Sequence, residues 1–117
     1  MRMSLDFYLQ AEVDTGGDAP FTVEIDSWNF THNLNRMAHE AGIYECLWRP
    51  NEHGYETAGD VAPVLSKGIA DMEQDPERFK ALDAENGWGT YEQWMPILQE
   101  MVKVIKRHPK AKIRAWG

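Results

Sequence analysis

Side chains able to bind or react gather in two short stretches, SWNFTHN at residues 27–33 and NGWG at residues 86–89. The first places Trp28, Asn29, Thr31, His32 and Asn33 where a strand pattern gives way to a helix pattern. Amide and imidazole groups offer both donors and acceptors. Together they could form the polar floor of a ligand site, or they could tie the junction to loop carbonyls. In the second stretch, Asn86 and Trp88 precede a helix start, where unsatisfied amides favour an anion. A structural reading competes. Thr90-Tyr91-Glu92-Gln93 has the form of a capping box, and Gly87 and Gly89 can supply the positive φ of a reversal. Trp88 would then tuck onto the core beside Tyr91 and Trp94. GWGT lacks the lysine and spacing of a phosphate loop.

The remaining chemistry is sparse. His39-Glu40 begins like a zinc-protease helix, but position 43 is Ile43 rather than a second histidine. His32 and His39 share a helix face yet lie ~10 Å apart along the axis, at 1.5 Å per residue. One ion with bonds near ~2 Å cannot span them, so no metal is assigned. Ser4, Ser27 and Ser66 lie in no nucleophile elbow, and no catalytic residue is assigned. Cys46 is the only cysteine. It excludes an internal disulfide and a sulfur-rich metal site, and within YECLW it is expected to be a small buried apolar residue. No cofactor is implied. Asn29-Phe30-Thr31 is a glycosylation sequon, irrelevant to a cytosolic protein.

These residues need elements to hold them. The 117 residues, 43% hydrophobic and 26% charged, suit one globular domain spanning 1–117. Apolar alternation predicts strands at 4–10 (Leu5, Phe7, Leu9) and from 21 (Phe21, Val23, Ile25), joined across DTGGDAP as an antiparallel hairpin. A first helix capped by Thr31 runs to about Ala41 and stops at Gly42. Residues 43–48 are left as strand or helical turn, and RPNEHGYETAG as a loop or small hairpin. A second helix starts near Asp60, with Gly68 marking a close approach to a neighbour. Asp75 caps a short third helix opened by Pro76. The last helix follows Thr90, either kinked at Pro96 or regular only beyond it. AKIRAW closes the chain as a third strand. The expected fold is α+β: a small antiparallel three-stranded sheet covered on one face by three or four helices, a two-layer sandwich. Tyr8, Thr22, Glu24, Lys112 and Arg114 would face outward, and the free sheet edges permit a homodimer.

Charge is uneven. Residues 103–117 hold six of the twelve cations and no acid, while the rest of the chain holds nineteen acids against six cations. The basic end either contacts an anionic partner or complements the protein's own acidic body. A pI near 5.0 argues against general nucleic-acid binding. No apolar run approaches the ~20 residues of a membrane helix, and no secretory leader pattern opens the chain. A cytoplasmic protein is expected.

The runs FTHNLNRMAHEAGIYECLWRP, TAGDVAPVLSKGIADMEQDPERFKAL and NGWGTYEQWMPILQEM resemble a group of small uncharacterised proteins encoded by bacteriophages and prophages of Gram-positive bacteria, actinobacteria included. The likeness covers most of the chain from Leu5 onward. It implies a setting, an accessory product in the host cytoplasm, and carries no catalytic residue with it. The expectation is a non-enzymatic binding module acting on a host protein or a small ligand. Its surface would be Trp28, Asn29, His32, Asn33, Asn86 and Trp88, provided the two stretches meet in space. A small enzyme acting on a nucleotide-like anion, with His32 as base, is the alternative. An acidic nucleic-acid mimic is a third.

Overall fold

The structure, a computed structural model, describes residues 3–117. It has the expected α+β architecture. Strands β1 (Ser4–Val13), β2 (Phe21–Thr31) and β3 (Lys112–Trp116) form one antiparallel sheet in the order β2-β1-β3. Leu5, Phe7 and Leu9 of β1 are fully buried, opposite Phe30 and Trp28 on one side and Ala115 and Ile113 on the other. Asp6, Tyr8, Lys112 and Arg114 occupy the opposite, outward face, as the period-two pattern demands. The other face is covered by helices α1 (Asn35–Glu40), α2 (Tyr44–Trp48), α3 (Ala58–Gln74), α4 (Pro76–Lys80) and α5 (Tyr91–Arg107). The described residues hold five helices rather than three or four because residues 44–48, left open by the sequence, coil into a short helix that buries Cys46, Leu47 and Trp48. No helix among the described residues is long and apolar enough to cross a membrane.

The hairpin is longer than its apolar alternation suggested, and it changes phase. Inward residues are odd-numbered at Phe21 and Val23 but even-numbered at Trp28 and Phe30; the register slips between Leu9 and Gln10 to absorb the difference. The extra residue is Ile25, a β-bulge of the kind that bends a ribbon. Beyond it the two strands leave the helical layer behind. Phe21, Val23 and Ile25, expected in the core, are 64%, 46% and 37% exposed. The projecting arm stretches the molecule to 52 × 31 × 23 Å with a radius of gyration of 14.9 Å, against roughly 13 Å for a compact chain of this length.

Helix boundaries follow local chemistry. Thr31 accepts from the Asn33 amide and starts a tight turn at His32–Leu34 that continues into α1. Within the stretch read as a loop or small hairpin, Pro50–His53 forms another such turn and residues 54–56 remain irregular. Helix α3 begins two residues before Asp60, because Thr57 and Asp60 form a reciprocal capping box. The Asp60 carboxylate accepts the Glu56 and Thr57 amides, and these bonds hold its pKa below the usual carboxylate range. Asp75 occupies the cap position of α4, but its side chain makes no cap bond there; it lies instead 4.0 Å from Arg78. Helix α5 starts at Tyr91 on the Thr90–Gln93 box and runs on through Pro96, whose missing N–H leaves the Glu92 carbonyl without its usual helical donor.

An aromatic cluster locks the layers together. Trp94 of α5 meets Phe30 of β2 and Trp48 of α2 edge-on at 5.7 and 6.2 Å, and Phe30 stacks on Trp48. Such pairs add stability beyond their buried area. They also fix the end of β2, and with it the first chemical stretch, against the start of α5 that carries the second.

Candidate functional site

At the end of β2 the chain turns sharply, and each residue of the first stretch acquires a distinct partner. Trp28 points toward the helical side and leans on Phe7 at 6.3 Å. Asn29, one residue on, faces the other side and donates to Ser4 Oγ and Asp6 Oδ1 at 2.9 and 2.7 Å. The His32 amide donates to the Met3 carbonyl. Its Nδ1 accepts from Trp48 Nε1 at 2.9 Å, so the ring proton of the neutral imidazole resides on Nε2. The lone pair a general base would use is thereby occupied. His39 is not part of this cluster; it stacks on Tyr44 at 3.8 Å.

The NGWG loop is held as firmly. Asn86 Oδ1 accepts the Trp88 amide, and Ala84 exchanges backbone bonds with Gly87 and Gly89. The Gly89 and Thr90 amides donate to Gln93 Oε1, Gln93 N donates to Thr90 Oγ1, and the Tyr91 amide donates to Asp83 Oδ1 at 2.7 Å. The protein's own side chains thus occupy the amides that sequence considerations offered to an anion. Gly87 and Gly89 do take positive φ, 77° and 106°. Gly89 is buried, and a Cβ there would lie 3.1–3.4 Å from Thr31, Asn33 and Leu34. Only glycine combines that backbone with that approach.

The two stretches meet. Asn33 Nδ2 donates to the Trp88 carbonyl at 2.9 Å, stitching the post-β2 turn to the loop before α5. Beside the stitch lies a cleft of about 130 Å3 between Phe30, Leu34, Gly89, Trp94 and Ile97, with Thr90 and Gln93 at its rim. Trp94 Nε1 is buried near it with no hydrogen-bond partner among the described residues.

Trp88 departs from the structural expectation. Its ring does not tuck beside Tyr91 and Trp94; it stands 74% exposed. Tyr91 packs against the core without it, its hydroxyl donating to the Met72 carbonyl. Of the six candidate residues, Asn33, Asn86 and Trp88 form one bonded unit and His32 lies just behind it on Trp48, whereas Trp28 and Asn29 belong to opposite faces of β2. The arm of residues 11–25 was missed as a feature. The change of apolar phase between Ile25 and Trp28 was its signal, since a regular strand cannot turn both sets inward.

No family model, curated protein or solved structure matches the chain. What the site can do therefore rests on its geometry: a large amphipathic ring presented on a rigid loop, next to a notch the size of a single side chain.

Proposed function

We propose that this chain is a non-enzymatic binding module that docks onto a protein through Trp88, and that, in line with the phage and prophage proteins its sequence resembles, it acts as an accessory factor on a host protein. The observation that carries the reading is the state of Trp88. Its amide and carbonyl are both bonded within the fold, while its ring is 74% exposed. Ordering a flexible loop on binding costs affinity, and a pre-ordered anchor avoids that cost. Tryptophan is also among the residues that dominate interface energies. The adjoining cleft, about 130 Å3, is well below the ~300–1,000 Å3 typical of small-molecule sites. It suits one aliphatic side chain of a protein partner better than a metabolite. Asp83 and Glu85 flank the loop, and Glu92 is already paired with Lys80 at 3.7 Å; the two carboxylates before the loop favour a partner that brings Lys or Arg over the indole face. The nucleotide-like alternative draws no support from His32, whose acceptor nitrogen is committed to Trp48.

The test compares capture from a Gram-positive host lysate by the intact chain, Trp88→Ala and Trp116→Ala. Trp116 is 51% exposed on β3 and controls for general stickiness. A specific partner retained by the intact chain and by Trp116→Ala but lost with Trp88→Ala is the expected result. Equal capture by all three would sink the assignment.

A further inference from the structure

We propose that the projecting arm, residues 11–25, is a self-association element: two copies lay the apolar undersides of their arms together about a two-fold axis, each acidic tip reaching the other's basic segment. Apolar residues supply the first observation. Val13, Phe21, Val23 and Ile25 are 44%, 64%, 46% and 37% exposed. Val13 pairs with Phe21 and Ala11 with Val23, so these side chains continue the face that Leu9 and Phe7 bury under the helices. On the arm no helix covers that face, and every residue from 12 to 25 is exposed. Where the arm leaves the body, a groove of about 520 Å3 opens between Ala11, Ile25, Pro109, Lys110 and Ala111.

Charge identifies the occupant as a second copy. Residues 11–26 carry Glu12, Asp14, Asp18, Glu24 and Asp26 and no cation, whereas residues 103–114 carry six cations and no acid. Within one chain only the root of the arm reaches this basic segment, through Lys112 and Glu12 at 2.9 Å. Lys106, Arg107 and Lys110 have no acidic partner within 4 Å among the described residues, and neither Asp14 nor Asp18 has a cationic one. A two-fold, face-to-face arrangement of the arms sets each tip beside the other copy's arm root, where Lys110 lines the groove. The contact is then self-complementary, as closed symmetry requires. Pairing along the outer edge of β2, the arrangement that sheet edges alone would suggest, instead brings Glu24 and Asp26 of both copies together, and like charges across a strand pair repel.

Sedimentation equilibrium of the full chain provides the test. A dimer is expected at low salt, with its Kd rising about tenfold or more as the Debye length is cut from ~10 Å to ~3 Å. Phe21→Asp should sediment as a monomer with an unchanged far-UV spectrum, since this side chain is mostly exposed in a single copy. Lys110→Glu should weaken the dimer, as should Asp14→Lys with Asp18→Lys, and mixing these two variants should restore a heterodimer. A chain that stays monomeric at high micromolar concentration overturns the proposal. So does a dimer indifferent to Phe21→Asp, which would place the contact on the β2 edge, or charge reversals that fail to rescue each other.

Discussion

Gly89 is the residue on which the candidate surface hinges. It has a φ of 106° and sits against Thr31, Asn33 and Leu34, where a methyl group would be crowded at 3.1–3.4 Å. Gly89→Ala combines a disfavoured backbone with tight contacts, and the expected loss is about 1–3 kcal/mol by denaturant melting. Trp88→Ala removes an exposed ring and should change stability by no more than about 0.5 kcal/mol. The contrast checks that the loop is ordered from below and presents its ring above. Cys46 gives a prediction of a different kind. Its thiol donates to the Ile43 carbonyl at 3.3 Å, and burial pushes its pKa up to about 12 from an ordinary 9.0. Between those values the unfolded chain binds fewer protons than the folded one, so stability falls as pH rises through that window. Urea midpoints should decline more steeply above pH 9 in the natural chain than in Cys46→Ala, and a thiol reagent should label the folded protein only slowly.

Helix α3 shows what a single small residue does for an element. A Cβ on Gly68 would lie 2.9 Å from the Ala41 carbonyl oxygen and would overlap Ile43 Cγ2. The helix therefore crosses the α1–α2 connection with backbone nearly touching. Gly68→Ala gains up to about 1 kcal/mol of helix propensity, but overpacking typically costs ~1–3 kcal/mol. A net loss in thermal stability is expected; a gain would show that the connection yields easily. This close approach was legible beforehand, because a glycine inside an apolar helical stripe needs a packing reason. The Thr90–Gln93 box and the odd-numbered alternation of β1 were legible for similar reasons: each depends on residues within a few positions of one another. Residues 44–48 were not, since YECLW satisfies a strand or a helix equally well until Trp48 finds Phe30 and Trp94 from distant parts of the chain. The exposure of Trp88 was hidden for the same reason. Local chemistry accounts for the turn that carries it, while the side of the loop on which the ring ends up depends on how that turn docks on Asn33, from a distant part of the chain. In the site itself, the meeting of SWNFTHN with NGWG could be posed from sequence, but the Asn33–Trp88 bond that makes it spans 55 positions.

At the scale of the whole molecule, body and arm divide the work. The body buries every large core side chain, from Leu5 to Ile113, and none of its buried residues lies between positions 10 and 29. Removing the arm should therefore leave the body folded. Replacing residues 12–22 with Asn-Gly would join Ala11 to Val23, which already face each other across the hairpin, through a two-residue turn suited to such a connection. The shortened chain should keep its far-UV spectrum and melt within a few degrees of a monomeric Phe21→Asp reference. Its radius of gyration by small-angle scattering should fall from the arm-bearing 14.9 Å toward the ~13 Å of a compact domain. The same variant separates the two proposed surfaces, because Trp88 and the cleft lie at the junction of β2 with α5 and take nothing from residues 12–22. Partner capture should persist while self-association disappears. If both vanish together, docking requires the dimer and the Trp88 surface is complete only when two copies are joined; if the shortened chain unfolds, the bulge at Ile25 and the strands beyond it are part of the fold's foundation rather than an extension of it.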